Sequence, residues 1–226
     1  MKSSLSIPFA ILAAGIIVAL AVYFSVAKPA PGKLSAGDSA LVRPVSTNDH
    51  ILGNPAASVF IVEYADFDCT YCKQFNDTLD QVIANDGATG KVALVFREFP
   101  LTELHPNALL HAEAAECVAN VGGNDAFWKF ADLLFANQPV DPTRYGEYAA
   151  SAGVASNDAF ASCFANASST VGGRINADRQ NALSIGAQGT PYSLILVSGQ
   201  APVVLDGASS YDAVKELVDK ALGEAQ

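Results

Sequence analysis

Positive charge is scarce in this chain: Lys and Arg number 13 against 23 Asp and Glu, and no run of Lys or Arg occurs. The formal net charge is −10 and the sequence pI is about 4.6. Binding to nucleic acid requires a basic face that displaces counterions from phosphates, so this composition argues against a nucleic-acid partner. Internal repeats are also lacking, and the acidity is spread along the chain. A solvated, self-repelling surface is the expected result.

Charge is absent from residues 7–27, which are almost wholly apolar. About 20 apolar residues in a helix span a hydrocarbon layer of about 30 Å, so we expect a transmembrane anchor there, with residues 1–6 in the cytoplasm. Ser25-Val26-Ala27 has the small residues of a signal-peptidase site, so a cleaved signal peptide is the alternative, and a buried core helix is a third interpretation. Residues 28–48 begin with a Pro/Gly/Ser-rich stretch and predict a flexible tether, followed by a folded domain over residues 49–226.

The first part of this domain alternates strand and helix patterns. Residues 58–64 are typical of a buried strand, residues 70–85 have the apolar spacing of a helix, and residues 91–97 predict a second strand. The order strand, helix, strand predicts a parallel βαβ unit.

A long helical block, from about residue 104 to 186, follows the second strand. Strand patterns return at residues 192–197 and 202–205, and a last helix is predicted over residues 211–222. The sequence therefore predicts an α/β fold with an inserted helical subdomain.

The motif that carries chemistry is Cys69-Thr70-Tyr71-Cys72, at the start of the first predicted helix. Two cysteines at this spacing can close a small disulfide ring, and a helix N-terminus stabilises a thiolate at the first of them. The thiolate is the attacking species in disulfide exchange and a good leaving group. The pattern predicts a redox centre, with a zinc half-site and an inert structural disulfide as alternatives. A second Cys-x-x-Cys is lacking, and His50, His105 and His111 do not have metal-site spacing, so we expect no metal.

Four further segments accompany this motif: a lead-in to the first strand, the strand that ends at the cysteines, the passage into the helical block, and a Thr-Pro loop. They are Asp49-His50-Ile51-Leu52-Gly53-Asn54-Pro55, Glu63-Tyr64-Ala65-Asp66-Phe67-Asp68, Phe96-Arg97-Glu98-Phe99-Pro100-Leu101 with His105-Pro106, and Gly189-Thr190-Pro191. Together they resemble the DsbA-like branch of the thioredoxin superfamily, over nearly everything from Asp49 to the C-terminus. The resemblance implies a thioredoxin-like fold with the helical subdomain inserted into it.

The resemblance also implies a role for each matching residue. Cys69 is implied to be the exposed nucleophile and Cys72 the buried resolving cysteine. Glu63 falls where the family has a buried acid, whose pKa desolvation raises and which exchanges protons with Cys72; a surface acid is the alternative. Pro191 is implied to be cis, with the Thr190 backbone beside the disulfide to pair with a substrate strand; an ordinary strand-initiating proline is the alternative.

One dipeptide departs from the family pattern. Many DsbA-like proteins have Pro, often with His, between the cysteines, whereas this chain has Thr70-Tyr71. Tyr71 cannot supply the positive charge that an imidazolium lends to the thiolate. Asp66 and Asp68, if close, raise the pKa of Cys69, and Lys73 lowers it. The sequence therefore leaves the oxidising strength open.

A second cysteine pair, Cys117 and Cys163, falls within the helical block. Disulfides persist in exported proteins, and a bridge here closes a loop of about 46 residues, worth roughly 4 kcal/mol in the chain-entropy model. Some membrane-anchored DsbA-like relatives are similar in carrying an extra bridge at this place. We therefore expect a structural disulfide, with two buried free thiols as the alternative.

The resemblance implies a protein thiol–disulfide oxidoreductase that donates its disulfide to exported proteins with free thiols. It also implies reoxidation by a quinone-linked membrane partner. We expect a monomer without a bound cofactor, held by its anchor in the inner membrane with the catalytic domain extracytoplasmic. The alternatives are a reductase or isomerase that uses the same residues, and a non-catalytic, membrane-tethered module that binds thiols or metal. The redox potential separates the first of these from an oxidase.

Overall fold

The apolar run at residues 58–64 forms an inner strand of a six-stranded sheet in the computed structural model, which describes residues 32–33 and 39–225. The strands are β1 (Gly32–Lys33), β2 (His50–Gly53), β3 (Val59–Ala65), β4 (Val92–Glu98), β5 (Tyr192–Val197) and β6 (Val203–Asp206). Their order in the sheet is β1-β6-β5-β3-β4-β2. Strands β3 and β4 are parallel and the other neighbours are antiparallel. The predicted βαβ unit is therefore confirmed.

The helices surround this sheet, and most of them lie in one insertion. In chain order they are α1 (Thr70–Asp86), α2 (Ala108–Gly122), α3 (Asn124–Ala136), α4 (Tyr145–Ser151), α5 (Asn157–Ala165), α6 (Ala167–Thr170), α7 (Gly172–Ser184) and α8 (Tyr211–Glu224). Helices α2 to α7 lie between β4 and β5, which confirms the predicted helical subdomain. Short 3₁₀ turns occupy Gly87–Thr89 and Pro142–Arg144.

Alternation along β3 sends side chains to both faces of the sheet, and helices cover both faces. Ile61 lies in the larger apolar core, together with Leu79 of α1 and Val218 of α8. Val62 lies in a second core with Ala182 of α7. This burial on both sides explains why β3 has a nearly continuous apolar sequence.

A disulfide joins two helices of the insertion. It links Cys117 of α2 to Cys163 of α5, whose Cα atoms are 5.7 Å apart, and both cysteines are buried. The bridge connects positions 46 residues apart in the chain.

The C-terminal end of the predicted tether packs against the domain. Arg97 of β4 is fully buried and donates through Nη2 to the carbonyl oxygens of Arg43 at 3.0 Å and Pro44 at 3.2 Å. Its Nε also donates to Asp49 at 2.9 Å. A buried guanidinium needs these acceptors, so residues 43–48 are part of the fold. The domain start predicted at Asp49 is therefore too late.

The predicted anchor at residues 7–27 and the preceding residues 1–6 lie outside the described residues. Within residues 39–225, none of the helices combines the length and the apolar character that crossing a bilayer requires.

Candidate active site

Cys69 and Cys72 lie at the N-terminal end of α1. Cys69 is the N-cap residue, and its backbone N–H donates to the carbonyl oxygen of Asp66 at 3.1 Å. Both cysteines are free thiols in this structure. The expected exposure of Cys69 is wrong, since only 6% of its surface is accessible, while Cys72 is fully buried as expected. The exposed residues of the motif are Thr70 and Tyr71, and Tyr71 is 65% exposed.

Thr190 and Pro191 reach Cys69 from the loop before β5. Their peptide bond is cis, and the carbonyl oxygen of Thr190 accepts a hydrogen bond from the Cys69 thiol at 3.4 Å. Strand β5 begins at the next residue and fixes the position of the loop. This loop lies against the Cys69 sulfur, which explains why Cys69 is less accessible than expected.

The surroundings lower the pKa of the Cys69 thiol to about 5. The largest cause is the hydrogen bond that the Cys72 thiol donates to the Cys69 sulfur, and partial burial opposes it. The backbone N–H groups of Cys72 and Tyr71 also lower this pKa, because they donate hydrogen bonds to the thiolate. Those amides belong to the first turn of α1, where backbone N–H groups have no partner within the helix. Cys69 is therefore a thiolate at neutral pH, the form that attacks and leaves in disulfide exchange.

Glu63 lies on β3 and is fully buried, as the resemblance implied. Neither of its carboxyl oxygens has a hydrogen-bond partner among the described residues. Burial raises the pKa of Glu63 to about 8, and the charges of Asp80 and Cys69 add to this effect. Burial also raises the pKa of Cys72, as do its hydrogen bond to Cys69 and the charge of Glu63. At neutral pH the site thus holds one thiolate, one thiol and one protonated carboxyl group.

Asp66 connects the turn before α1 to the passage that leads into the insertion. Its carboxylate is buried and accepts hydrogen bonds from the backbone N–H groups of Asp68 at 2.8 Å and Leu101 at 2.7 Å. The Nδ1 atom of His105 lies 2.9 Å from the same carboxylate. The loop that ends at Cys69 is therefore tied to residues that precede α2.

Asp68 has a histidine partner of its own. The Nε2 atom of His111, on α2, lies 3.0 Å from the Asp68 carboxylate, and the other ring nitrogen contacts the hydroxyl of Tyr145. Burial lowers the pKa of His111 despite the charge of Asp68 beside it. Both aspartates of the turn that precedes α1 thus have a histidine as a hydrogen-bond partner.

Gln138, which follows α3, contacts the same turn. Its Nε2 donates to the carbonyl oxygens of Phe67 at 2.6 Å and Cys69 at 3.3 Å. In the part of the chain that the structure describes, no three His, Cys, Asp or Glu side chains are grouped so that they could hold a metal ion.

His105, His111 and Gln138 were not predicted at this site. Two features of the sequence pointed to the histidines. Two aspartates close to a thiolate need hydrogen-bond partners, and His105-Pro106 is one of the segments that resemble the DsbA-like family. Gln138 had no such signal, since its amide contacts the turn only through the fold of the insertion.

Comparison with known proteins agrees with this geometry. The family model described as Thioredoxin matches residues 45–220. The solved structure of Wolbachia pipientis alpha-DsbA1 has a TM-score of 0.70 at 24% identity and covers 83% of this chain and 97% of its own. Oxidised BdbD from Bacillus subtilis has a TM-score of 0.67 at 24% identity, over 85% of this chain and 97% of its own. These two structures show the same fold.

A curated relative matches part of the chain at higher identity. It is Na(+)/H(+) antiporter NhaA 3 of Salinispora tropica, 42% identical over 112 residues, which are 47% of this chain and 16% of the antiporter. The chain thus spans a small part of that relative's length. The family model covers most of the described residues and includes the Cys69–Cys72 motif. The chain therefore belongs to the thioredoxin family, and its fold is that of the DsbA-like thiol–disulfide oxidoreductases.

Proposed function

We propose that this protein donates a Cys69–Cys72 disulfide to exported proteins that carry free thiols. The observation that supports this direction is the low pKa of Cys69, about 5. A nucleophile that is a stable thiolate at neutral pH stabilises the reduced enzyme, and a couple with a stabilised reduced form is a strong oxidant. The Thr70-Tyr71 dipeptide does not prevent this, because Cys72 and the backbone amides of α1 supply the stabilisation.

The reaction consists of two exchange steps. A substrate thiolate attacks the Cys69 sulfur of the enzyme disulfide, which forms a mixed disulfide, breaks the Cys69–Cys72 bond and releases Cys72, which takes up a proton. A second substrate thiolate then attacks the substrate sulfur of the mixed disulfide and releases Cys69 as a thiolate. Two electrons pass from the substrate, which gains a disulfide, to the enzyme, which ends as the dithiol.

Glu63 supplies the proton that Cys72 needs on leaving. The carboxyl group is protonated at neutral pH because burial raises its pKa to about 8, and once it is ionised its negative charge raises the pKa of Cys72. A buried acid whose pKa is close to the working pH is suited to general acid–base catalysis. Cys72 has a raised pKa and accepts this proton readily.

Thr190 and Pro191 position the substrate. The Thr190 carbonyl oxygen lies 3.4 Å from the Cys69 sulfur, so a peptide that aligns with this backbone brings its cysteine to the nucleophile. Main-chain pairing of this kind is independent of the substrate's side chains. It therefore suits an enzyme that acts on many exported proteins.

The protein functions as a monomer without a cofactor, tethered to the inner membrane with its catalytic domain outside the cytoplasm. The apolar residues 7–27 support the tether, and the Cys117–Cys163 disulfide supports an oxidising compartment. A quinone-linked membrane partner reoxidises the dithiol. Because the antiporter relative is several times longer than this chain, we propose no transport activity.

The test is a redox titration of the 226-residue chain in detergent, with graded glutathione buffers and mapping of alkylated cysteines. We expect Cys69 and Cys72 to be half-reduced near the potential of strong oxidants, about −120 mV, rather than that of reductants, about −270 mV. A pair that stays oxidised in strongly reducing buffer would overturn the oxidase direction in favour of a reductase. Stoichiometric metal retention by the reduced protein, without disulfide exchange, would support the binding module instead.

A further inference from the structure

Two of the three histidines in this chain lie against the aspartates that flank the nucleophile. His105 contacts Asp66 and His111 contacts Asp68, at 2.9 Å and 3.0 Å. Both histidines come from the segment that enters the insertion, far from Cys69 in sequence. The active-site turn therefore receives imidazole groups from outside the Cys-x-x-Cys motif.

The two pairs differ in their protonation. His111 is fully buried, and burial lowers its pKa, so its ring is neutral near pH 7. A neutral ring that donates from Nε2 to Asp68 accepts at Nδ1 from the hydroxyl of Tyr145. His111 consequently has its hydrogen bonds filled and carries no charge.

His105 is in the opposite situation. Its side chain is 27% exposed, which allows proton exchange with solvent. Partial burial lowers its pKa, but the hydrogen bond to Asp66 and the charges of Asp66, Cys69 and Asp68 outweigh this, so the net shift is upward. Asp66, Asp68 and Cys69 belong to the turn that leads into α1, and the neutral His111 of α2 is the hydrogen-bond partner of Asp68. The imidazolium form of His105 therefore persists to higher pH than that of an ordinary histidine.

Lys73, the basic residue near the start of α1, does not take this place. Tyr71 points to solvent, and the ammonium group of Lys73 donates to the carbonyl oxygen of Ala136 at the end of α3. The carboxylates of Asp66 and Asp68 disfavour a nearby thiolate unless a positive charge offsets them. His105 is the histidine placed to do so.

We propose that His105 is a positioning residue for disulfide exchange: its imidazolium, held by Asp66, offsets the carboxylates beside Cys69 and stabilises the thiolate. This inference rests on the proposed function only in requiring that Cys69 exchanges disulfides, and it holds for either direction of electron flow. Coupling between two sites is reciprocal, so a Cys69 charge that favours protonation of His105 is itself favoured by that protonation.

Redox state and pH are linked as a result. Reduction creates a negative charge at Cys69, which raises the affinity of His105 for its proton, so the reduced enzyme holds this proton to higher pH than the oxidised enzyme does. Below the midpoint of His105 the imidazolium stabilises the reduced form and the couple is more oxidising. Above that midpoint the stabilisation is lost, and the couple becomes less oxidising.

The first test needs no variant. The full chain in detergent, with labelled histidines, is titrated by NMR in the dithiol and disulfide forms. We expect the His105 midpoint to be higher in the dithiol form by roughly half to one pH unit, the size expected for two charges several ångströms apart near a surface. Equal midpoints in the two forms would overturn the proposal. This result does not depend on the potential, so a reducing potential would refute the proposed function alone.

Two substitutions separate charge from structure. His105→Gln keeps a hydrogen-bond donor near Asp66 without the charge, and His105→Lys keeps a charge without the ring. The Cys69 midpoint, followed by thiolate absorbance, should rise by the same half to one unit in His105→Gln and stay closer to wild type in His105→Lys. The redox equilibrium constant of His105→Gln at neutral pH should shift by roughly three- to tenfold towards the disulfide form. A Cys69 midpoint that stays at the wild-type value in His105→Gln but rises in His105→Lys would show a purely structural role for His105. That result would contradict the proposal.

The matched control is His50→Gln. His50 forms a histidine–carboxylate pair of equal length, 2.9 Å to Glu116, and its ring stacks on Phe127 in the core. This substitution should leave the Cys69 midpoint unchanged. A shift as large as that of His105→Gln would attribute the effect to general loosening of the fold and overturn the proposal. If His50→Gln does not fold, the NMR comparison still decides.

Discussion

Glu63 lies directly opposite Ser193 in the antiparallel pairing of β3 with β5, so their side chains share one face of the sheet. Both residues are fully buried, and neither side chain has a hydrogen-bond partner among the described residues. An unpaired buried polar group costs about 1–3 kcal/mol, so apolar residues at these positions would give a more stable fold. The fold keeps an acid here in spite of that cost, next to the cysteine that must gain and lose a proton.

Replacing Glu63 with Gln is expected to remove a pH-dependent loss of stability. Folding raises the pKa of Glu63 to about 8, so its contribution to stability is complete below the ordinary carboxyl range and is lost as pH rises through 8. Between those limits the folded state holds a proton that the unfolded chain has released. The free energy of unfolding of the wild type should therefore fall, relative to that of Glu63→Gln, by roughly 1.4 kcal/mol per pH unit.

Urea unfolding at several pH values measures this difference. The disulfide form should be used, because Cys69 and Cys72 do not titrate in it and burial, the main cause of the shift, remains. Glu103→Gln is the matched control, since that side chain is 71% exposed. Parallel pH curves for wild type and Glu63→Gln would show that Glu63 is ionised in the folded protein and would contradict the prediction.

Removing the second disulfide should lower stability without lowering exchange activity. The bridge closes a separation of 46 residues, so the double substitution Cys117→Ala and Cys163→Ala is expected to lower the free energy of unfolding by about 4 kcal/mol. Activity should persist in the fraction that remains folded, because the bridge joins α2 to α5, and neither helix carries a catalytic cysteine. Denaturant unfolding and an exchange assay on the same samples check both parts. A variant that folds but has no exchange activity would contradict the prediction that this disulfide affects stability alone.

Replacing Arg97 with Met should be strongly destabilising, because it leaves Asp49 buried without its main partner. Loss of one member of a buried ion pair costs about 3–5 kcal/mol, whereas replacing both members by apolar residues is often far less costly. The double substitution Arg97→Met and Asp49→Leu should therefore be more stable than Arg97→Met alone. Arg179→Met, at a more exposed ion pair with Glu103, is the control and should cost less than about 1 kcal/mol. If the double variant loses the sum of the stabilities lost in the two single variants, an unpaired Asp49 is not the cause of the destabilisation.

The strands and the catalytic motif were predictable because they depend on local patterns. The β-branched and aromatic run that forms β3 and the amphipathic spacing of α1 each specify an element within a short stretch of chain. The resemblance to DsbA-like proteins then located Glu63 and Pro191 relative to the cysteines. Their burial and cis geometry agree with what it implied.

The start of the domain was not predictable in this way. Arg43 and Pro44 belong to the fold through their backbone carbonyl oxygens, which accept from Arg97 more than 50 residues later. Such bonds have no periodicity and no characteristic residue type, so the segment has the composition of a tether. The histidine partners of Asp66 and Asp68 were missed for the same reason, since only the folded insertion brings them to the turn.

Gln138 gives the insertion a mechanical connection to the nucleophile. One side-chain amide contacts the carbonyl oxygens on both sides of Asp68, at Phe67 and Cys69. The position of the backbone that carries the Cys69 sulfur therefore depends on a residue of the insertion that is far from the Cys-x-x-Cys motif in sequence.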